Sequence, residues 1–252
     1  MIASLKVLIL LSFCGLGFSF KYPRNADQTL WAFRTCERER GGPGKTEKWR
    51  NWDLPNNSDT HCYVKCIWQY LGMWNFQFNS IYVDAIATQY MARGRKYPKE
   101  LANLALPTDG TCKTVYDKSI DFINKEKKNL DFVFFHTEDE YTNWIKTHAD
   151  LKPIGKKISE FCKGKEGGSE GKCKHACSMY HYRLVDEQNN ILPLRELRIY
   201  GKHDSEFIHC KRRAANETGC RVGDVLYHCI DKIDKKGFAE VLKRWDDESI
   251  TY

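Results

Sequence analysis

Two clusters of cysteine and histidine have a composition typical of zinc ligands. They are His61, Cys62 and Cys66 in the first half of the chain, and Cys173, His175 and Cys177 in the second. Structural zinc sites normally have four ligands, arranged as a close cysteine pair with a second pair downstream. Neither cluster has that second pair, so we expect disulfides here, with no metal and no cofactor.

The sequence gives little support for catalysis. It has no GxSxG nucleophile motif, and every cysteine beyond the first 20 residues has an available disulfide partner. Secreted phospholipases are also helical and rich in disulfides, but their chemistry needs a calcium loop and a His-Asp pair flanked by cysteines. The His-Asp pair here, His203-Asp204, has no adjoining cysteine. We therefore name no catalytic residue and expect a protein that is not an enzyme.

The cysteine spacing indicates the helices that carry these side chains. Cys62 and Cys66 are four residues apart, so both thiols lie on one face of a helix, one turn apart. Gly72 can adopt the left-handed conformation that ends this helix. A helix of this kind can be bonded to two other segments. Cys173 and Cys177 repeat the spacing, which predicts two related domains, each built around a doubly cross-linked helix.

The first 20 residues predict secretion. They contain Lys6, an apolar run from Val7 to Leu11 and small residues near the end, which is typical of a signal peptide and too short for a membrane span. Removing them removes Cys14 and leaves ten of the 11 cysteines. In an oxidising compartment, this even number predicts five disulfides.

Apolar periodicity predicts an all-α protein, without alternation of strands and helices. The predicted helices include residues 26–40, 81–93 and 111–128 in the first half, and residues 172–185, 205–215, 222–233 and 237–245 in the second. Residues 132–135 are interpreted as a buried connector.

The charge pattern and two short motifs indicate what the surface of the protein can bind or carry. The net charge is +7, and loss of the leader, which holds one lysine and no acid, leaves +6. Acidic residues interleave with the basic ones, whereas a nucleic-acid-binding surface needs a clustered basic face. We expect neither a nucleic acid nor a membrane as partner. Sequons at Asn56 and Asn216 predict glycosylation in exposed loops.

Aromatic residues around the first cross-linked helix are numerous enough to form a binding cavity. They are Trp49, Trp52, Tyr63, Trp68, Tyr70, Trp74, Phe76 and Phe78. Disulfides can stabilise helices around an apolar cavity, and ligand pockets are mostly apolar. Lysines 146, 152, 156 and 157 could meet an acidic head group. On composition alone, an ordinary aromatic core with a solvated lysine face is the favoured interpretation.

Several stretches resemble a known family. DQTLWAFRTCERE, KWRNWDLPNNSDTHCYVKCIWQYLGMW and the eight-residue gap between Cys220 and Cys229 resemble the long D-seven salivary proteins of blood-feeding flies, of the sand fly type. These proteins belong to the odorant-binding-protein superfamily. The resemblance covers essentially the whole chain after the leader. It implies a signal peptide at 1–20, an odorant-binding-like helical domain at 21–155 and a shorter one at 156–252.

The resemblance also implies the disulfide pairing, for which sequence alone leaves several connectivities open. The implied pairs are Cys36–Cys66, Cys62–Cys112, Cys162–Cys177, Cys173–Cys220 and Cys210–Cys229.

The function that the resemblance implies is stoichiometric scavenging. The family binds host eicosanoids, namely cysteinyl leukotrienes and thromboxane analogues, in the N-terminal domain. Lowering the free concentration of these mediators opposes vasoconstriction, platelet activation and inflammation. We therefore expect a monomeric protein secreted into saliva, whose partners are small lipid mediators.

Two parts of the site follow from the resemblance. Trp52, ten residues before Cys62, matches a pocket tryptophan of the family's lipid site. Lys157, five residues before Cys162, matches a pocket lysine, and Lys156 is its neighbour. From the helix face alone, we add four residues that would contact the acyl chain: Tyr63, Ile67, Tyr70 and Phe76.

Two other binding functions are left open. Lys211, Arg212 and Arg213 could form a basic surface that inhibits coagulation or contact activation, in which case binding would weaken with salt. The resemblance also includes biogenic-amine binding by the C-terminal domain. We expect none here, because the domain is short and its available carboxylates show no site-like spacing. These carboxylates are Glu196, Asp204 and Glu206.

Overall fold

The computed structural model describes residues 20–165, 173–192, 195–202 and 204–252, and helices dominate it. The predicted signal peptide lies outside the described residues, except for residue 20. The first half contains α1 (Ala26–Arg40), α2 (Lys45–Arg50), α3 (Ser58–Tyr70), β1 (Trp74–Asn75), β2 (Ser80–Ile81), α4 (Val83–Ala92), a 3-10 helix (Lys99–Ala105), α5 (Cys112–Val133) and α6 (Glu138–Ile145). The second half contains α7 (Ile158–Cys162), α8 (Ala176–His181), α9 (Asp204–Ala215), α10 (Arg221–Ile233), α11 (Lys235–Glu248) and a 3-10 helix (Ser249–Thr251).

Local sequence signals explain where the main helices of the first half begin and end. Asn25 and Gln28 form a reciprocal capping box at the start of α1, which satisfies backbone N–H groups that have no partner within the helix. The Asn57 side chain caps α3 by accepting from the Thr60 N–H at 3.0 Å. Gly72, with φ of 77°, follows the end of α3 as predicted.

Several predicted helix boundaries differ from those in the structure. Ile81 pairs with Trp74 in a two-stranded antiparallel hairpin, so α4 begins at Val83 and the predicted start at residue 81 is wrong. α5 continues to Val133, which makes residues 132 and 133 helical and not part of a connector. In the second half, α8 is shorter than predicted within the described residues.

Five disulfides cross-link these helices. α3 is bonded to α1 through Cys66 and Cys36, and to the start of α5 through Cys62 and Cys112. The second half contains Cys162–Cys177, Cys173–Cys220 and Cys210–Cys229. These are the five pairs that the family resemblance implies. Because the sulfurs are in disulfides, neither Cys-His cluster presents the thiolates that a zinc site uses.

The buried apolar residues form two clusters. One surrounds α1, α3, α4 and α5 and includes Val64. The other surrounds α8 to α11 and includes Leu226. Leu192 and Tyr252, from late in the chain, pack into the first cluster, so the two halves are in contact. The division of the chain at residues 155 and 156 stays a prediction.

A buried ion pair joins the two halves. The Asp27 carboxylate in α1 contacts the guanidinium of Arg183, and both side chains are only 1% exposed. His181 lies beside this pair, with its Nδ1 3.8 Å from Asp27 Oδ2. The Arg183 guanidinium also lies 5.8 Å from the centre of the Trp31 ring. Removing one partner of such a pair leaves a buried charge uncompensated, which strongly destabilises a fold.

His181 gives the fold a predictable sensitivity to acid. Burial lowers the pKa of His181 to about 4, although Asp27 acts to raise it, whereas the same side chain in an unfolded chain titrates near 6.5. Between these pH values the unfolded chain binds a proton that the folded chain does not, so stability falls as the pH falls from 6.5 to 4. The contribution is on the order of 3 kcal/mol.

We predict that, as the pH falls from 6.5 to 4, the free energy of unfolding of His181→Gln decreases less than that of the wild type. Urea unfolding followed by circular dichroism at several pH values between 4 and 6.5 measures the difference. His209→Gln, at an exposed position, is the matched control and should follow the wild type. If the free energies of unfolding of His181→Gln and of the wild type decreased equally with pH, this account would be contradicted.

Candidate ligand-binding site

The first half contains a small apolar cavity with a volume of about 10 Å³. Aliphatic and aromatic side chains line it: Phe33, Trp52, Val64, Ile67, Trp68, Leu71, Ile123, Leu130 and Phe134. This volume is about that of one water molecule and lies far below the range of about 300–1,000 Å³ that is common for ligand pockets. A drug-sized apolar ligand therefore has to widen the cavity as it enters.

The walls of the cavity come from the cross-linked helices. Phe33 belongs to α1, Ile67 to α3 and Ile123 to α5. Since the disulfides of α3 reach both α1 and α5, they hold all three walls together. The cavity is thus positioned by covalent bonds as well as by packing.

Trp52 forms one side of the cavity in a constrained conformation. Its φ is 55°, in the left-handed region that residues other than glycine rarely adopt. Its indole Nε1 donates a hydrogen bond of 2.6 Å to Asp131 Oδ1. The ring packs edge-on against Phe33, at 5.9 Å between centres. The hydrogen bond and the ring contact orient a side chain that is only 5% exposed.

His136 lies against the same two rings. Its imidazole stacks on Trp52, at 4.4 Å and 30°, and packs edge-on against Phe33, also at 4.4 Å. Its Nδ1 lies 3.0 Å from Asp131 Oδ1. Sequence reasoning missed both Asp131 and His136, because they are far from Trp52 in the chain and belong to no recognisable motif.

Of the six other residues that we predicted to bind ligand, the structure brings Ile67 to the cavity with Trp52 and does not bring the rest. Tyr63 stacks on Trp49, at 4.2 Å between ring centres, and burial raises the pKa of its hydroxyl. Tyr70 and Phe76 instead line a separate groove between the two halves.

The groove between the halves has mixed charge. Glu248 accepts from Arg38 and Arg195, each at 3.1 Å, and the Tyr70 hydroxyl donates to Glu39 at 2.9 Å. Burial and Glu39 raise the pKa of that hydroxyl. The groove has a volume of about 600 Å³, which is within the range of ligand pockets, but charged side chains line it and it lacks the apolar character of the cavity around Trp52.

The predicted lysines lie in the second half, away from the lining of the cavity. Lys157 forms an ion pair of 2.6 Å with Asp247 at the surface, and this hydrogen bond raises its pKa. Lys156 is exposed, with its Nζ 5.9 Å from the centre of the Phe161 ring. The structure therefore gives neither lysine a contact with the cavity.

Lys152 is the buried lysine of this region. Its Nζ donates to the carbonyl oxygen of Ser249 at 2.8 Å and to that of Tyr252. Burial lowers its pKa to about 8. Lys152 thus connects the two halves and is not available to a ligand head group.

Several other predicted positions lie at the surface. Arg212 and Arg213 are exposed on α9, and Asn56 and Asn216 are exposed as well, so glycan occupancy stays a prediction. Among the carboxylates proposed for an amine, Glu196 pairs with Arg198 and Glu206 pairs with Lys202, each at 3.3 Å. Within the described ranges, no helix is both long and apolar enough to span a membrane.

Comparison with known proteins identifies the family. Residues 24–118 match the model of the PBP/GOBP family. Over 253 residues the chain is 42% identical to a long form D7 salivary protein of Phlebotomus duboscqi, with 99% of each chain covered. The chain belongs to the long-form D7 salivary protein family. This result confirms the resemblance to the sand fly D-seven proteins.

Solved D7 structures share this fold. A D7 protein from Phlebotomus duboscqi superposes with a TM-score of 0.80 at 41% identity, covering 93% of this chain and 100% of that one. AeD7 in complex with leukotriene E4 superposes with a TM-score of 0.73 at 17% identity, and the superposition covers 92% of each chain. AnSt-D7L1 in complex with U46619 superposes with a TM-score of 0.67 at 19% identity, covering 93% of this chain and 91% of that one. The all-α, odorant-binding-like fold is confirmed.

The hydrogen bonds to Asp131 should contribute to stability. We predict that Asp131→Asn lowers the free energy of unfolding by about 1–2 kcal/mol, because the bonds from Trp52 and His136 then lose a charged acceptor. Urea unfolding measures this change. Asp121→Asn, at an exposed position on the same helix, should have little effect. Equal stabilities of the two variants would show that the Asp131 contacts do not stabilise the site.

Proposed function

We propose that this D7 protein is secreted into saliva and binds lipid mediators of the host in the cavity around Trp52. The ligands are cysteinyl leukotrienes and thromboxane-type eicosanoids. The observation that carries the proposal is an entirely apolar lining inside helices that disulfides hold together. The complexes of two distant relatives with leukotriene E4 and with U46619 support it.

The energetics favour an acyl chain as the buried part of the ligand. Transfer of about 300 Å² of chain surface from water into the cavity is worth about 7 kcal/mol, at ~25 cal/mol per Å². This is close to micromolar affinity before the costs of ordering are subtracted. Widening the small cavity adds a further cost.

The proposed mechanism is stoichiometric. Each protein molecule withdraws one mediator molecule from solution, so that the free concentration falls and receptors are less occupied. Vasoconstriction, platelet activation and inflammation would decrease accordingly. Such a protein needs a tight site and a high concentration in saliva, and it needs no catalytic group.

Calorimetric titration of the secreted protein with leukotriene E4 tests this proposal. We expect saturation near one equivalent. Trp52→Ala should abolish measurable binding at micromolar protein, because it removes one wall of the cavity and the indole that Asp131 orients.

Two variants serve as controls. Trp144→Ala makes the same change at a tryptophan that stacks on His148 outside the cavity lining, and it should bind normally. Lys157→Ala should also bind normally, since Lys157 pairs with Asp247. Absence of heat with the folded wild type, for both leukotriene E4 and a thromboxane analogue, would refute the proposed function. Loss of binding in Lys157→Ala would place the site elsewhere.

A further inference from the structure

The second half carries a basic groove that none of the functions above uses. The groove runs along α10, has a volume of about 500 Å³ and shares no lining residue with the cavity around Trp52. Arg213, Arg221 and Lys232 give its lining three cationic side chains, whereas one acid, Asp224, is among the described lining residues. An excess of positive charge in a concave surface attracts anions.

The period of the helix arranges the lining of this groove in a row. Arg221, Val225, His228 and Lys232 all belong to α10. At 100° and 1.5 Å per residue, they lie within about 60° of one another around the helix axis and span roughly 16 Å along it. The side chains of Arg221, His228 and Lys232 are exposed. Three side chains with N–H donors therefore follow one another along a single face of α10.

Arg213 adds a further cation to this row from the neighbouring helix. The Cys210–Cys229 disulfide joins α9 to α10, with the two Cα atoms 5.5 Å apart. The connection between the helices is short, so they run antiparallel. Arg213, three residues after Cys210, consequently lies beside Val225, four residues before Cys229. Its guanidinium supplies positive charge at the position where the row on α10 has an apolar residue.

Two acidic side chains border the groove, and donors of the protein bind both of them. Asp224 accepts from the backbone N–H groups of Lys174 and His175, at 3.1 and 2.7 Å. Glu217 accepts from Arg221 Nε at 2.9 Å. The Arg221 side chain is nevertheless 65% exposed, so a ligand can reach its guanidinium. The carboxylates thus reduce the positive charge of the groove and leave it open.

The lining of the groove distinguishes between the possible polyanions. Single-stranded nucleic acids stack their bases on aromatic side chains, and the described lining residues include no phenylalanine, tyrosine or tryptophan. Duplex nucleic acid needs a broad basic face, and a membrane is flat, whereas these cations form a narrow row in a groove. Sulfated polysaccharides of the heparin type are linear, have no bases, and bind to clusters of arginine and lysine.

We propose that the groove along α10 binds a sulfated glycosaminoglycan, a function additional to lipid binding. Arg213, Arg221 and Lys232 pair with sulfate groups along the polysaccharide, and the imidazole of His228 offers an N–H donor between them. Such binding retains the secreted protein on the extracellular matrix and raises its local concentration there. Because the groove and the cavity lie in different halves of the chain, this inference does not depend on the proposed function.

Surface plasmon resonance with immobilised heparin tests the inference on the secreted full-length protein at physiological salt, about 0.15 M. The triple variant Arg213→Ala, Arg221→Ala and Lys232→Ala should bind about tenfold more weakly than the wild type, because three exposed ion pairs are lost. Each substitution is at a solvent-exposed position, so the fold should be retained, and circular dichroism verifies this. Absence of heparin binding by the wild type would overturn the inference.

A control variant separates the groove from the net charge. Lys48→Ala, Lys125→Ala and Lys128→Ala together remove the same charge at exposed positions of the first half. This variant should bind heparin nearly as tightly as the wild type. Equal weakening of the two triple variants would show a diffuse attraction to positive charge and would overturn the assignment to the groove.

Other polyanions test the ligand class without any substitution. Hyaluronan, which has carboxylates but no sulfates, and single-stranded DNA should both bind the wild type more weakly than heparin does. Equal affinity for heparin and for either of them would overturn the assignment to a sulfated polysaccharide. A wild type that binds heparin but not leukotriene E4 would support this inference and count against the proposed function, and the opposite result would do the reverse.

Discussion

Helix α3 is bonded to α1 and α5 by disulfides four residues apart, and the rest of the first half depends on this constraint. Ordinary cores close around any empty space because packing is the main source of their stability. Here the cross-links constrain the unfolded chain and contribute stability independently of packing. A small apolar cavity remains between the three helices, with Ile67 at its lining, and the cross-links would stabilise the fold if these helices separated to admit a ligand.

Polar groups orient the aromatic side of that cavity. Asp131 accepts from Trp52 and lies within hydrogen-bond distance of His136 Nδ1, so one carboxylate positions both rings. A further buried pair, Asp27 with Arg183, joins the first half to the second. The second half thus contacts the helix that carries Phe33, which gives it a structural role whether or not it binds a ligand of its own.

The sequence predicts local features better than it predicts the site. Residues 26–40 are helical as expected, because a capping box and a glycine-rich stretch mark the ends of α1. Of the residues predicted from the helix face, Ile67 lies at the lining of the cavity, whereas Tyr63 and Tyr70 lie outside it. α3 is enclosed by neighbours on most of its faces, so apolar spacing cannot distinguish its cavity side from its packed sides. The contact of His136 with Trp52 depends on tertiary pairing that no local pattern encodes.

A crystal structure of the secreted protein with leukotriene E4 tests the location of the site most directly. The account predicts that the lipid chain lies between Phe33, Trp52 and Ile67, with the cavity widened and both disulfides of α3 intact. A lipid bound in the groove between the halves, beside Tyr70 and Arg195, with the cavity around Trp52 still closed, would contradict it.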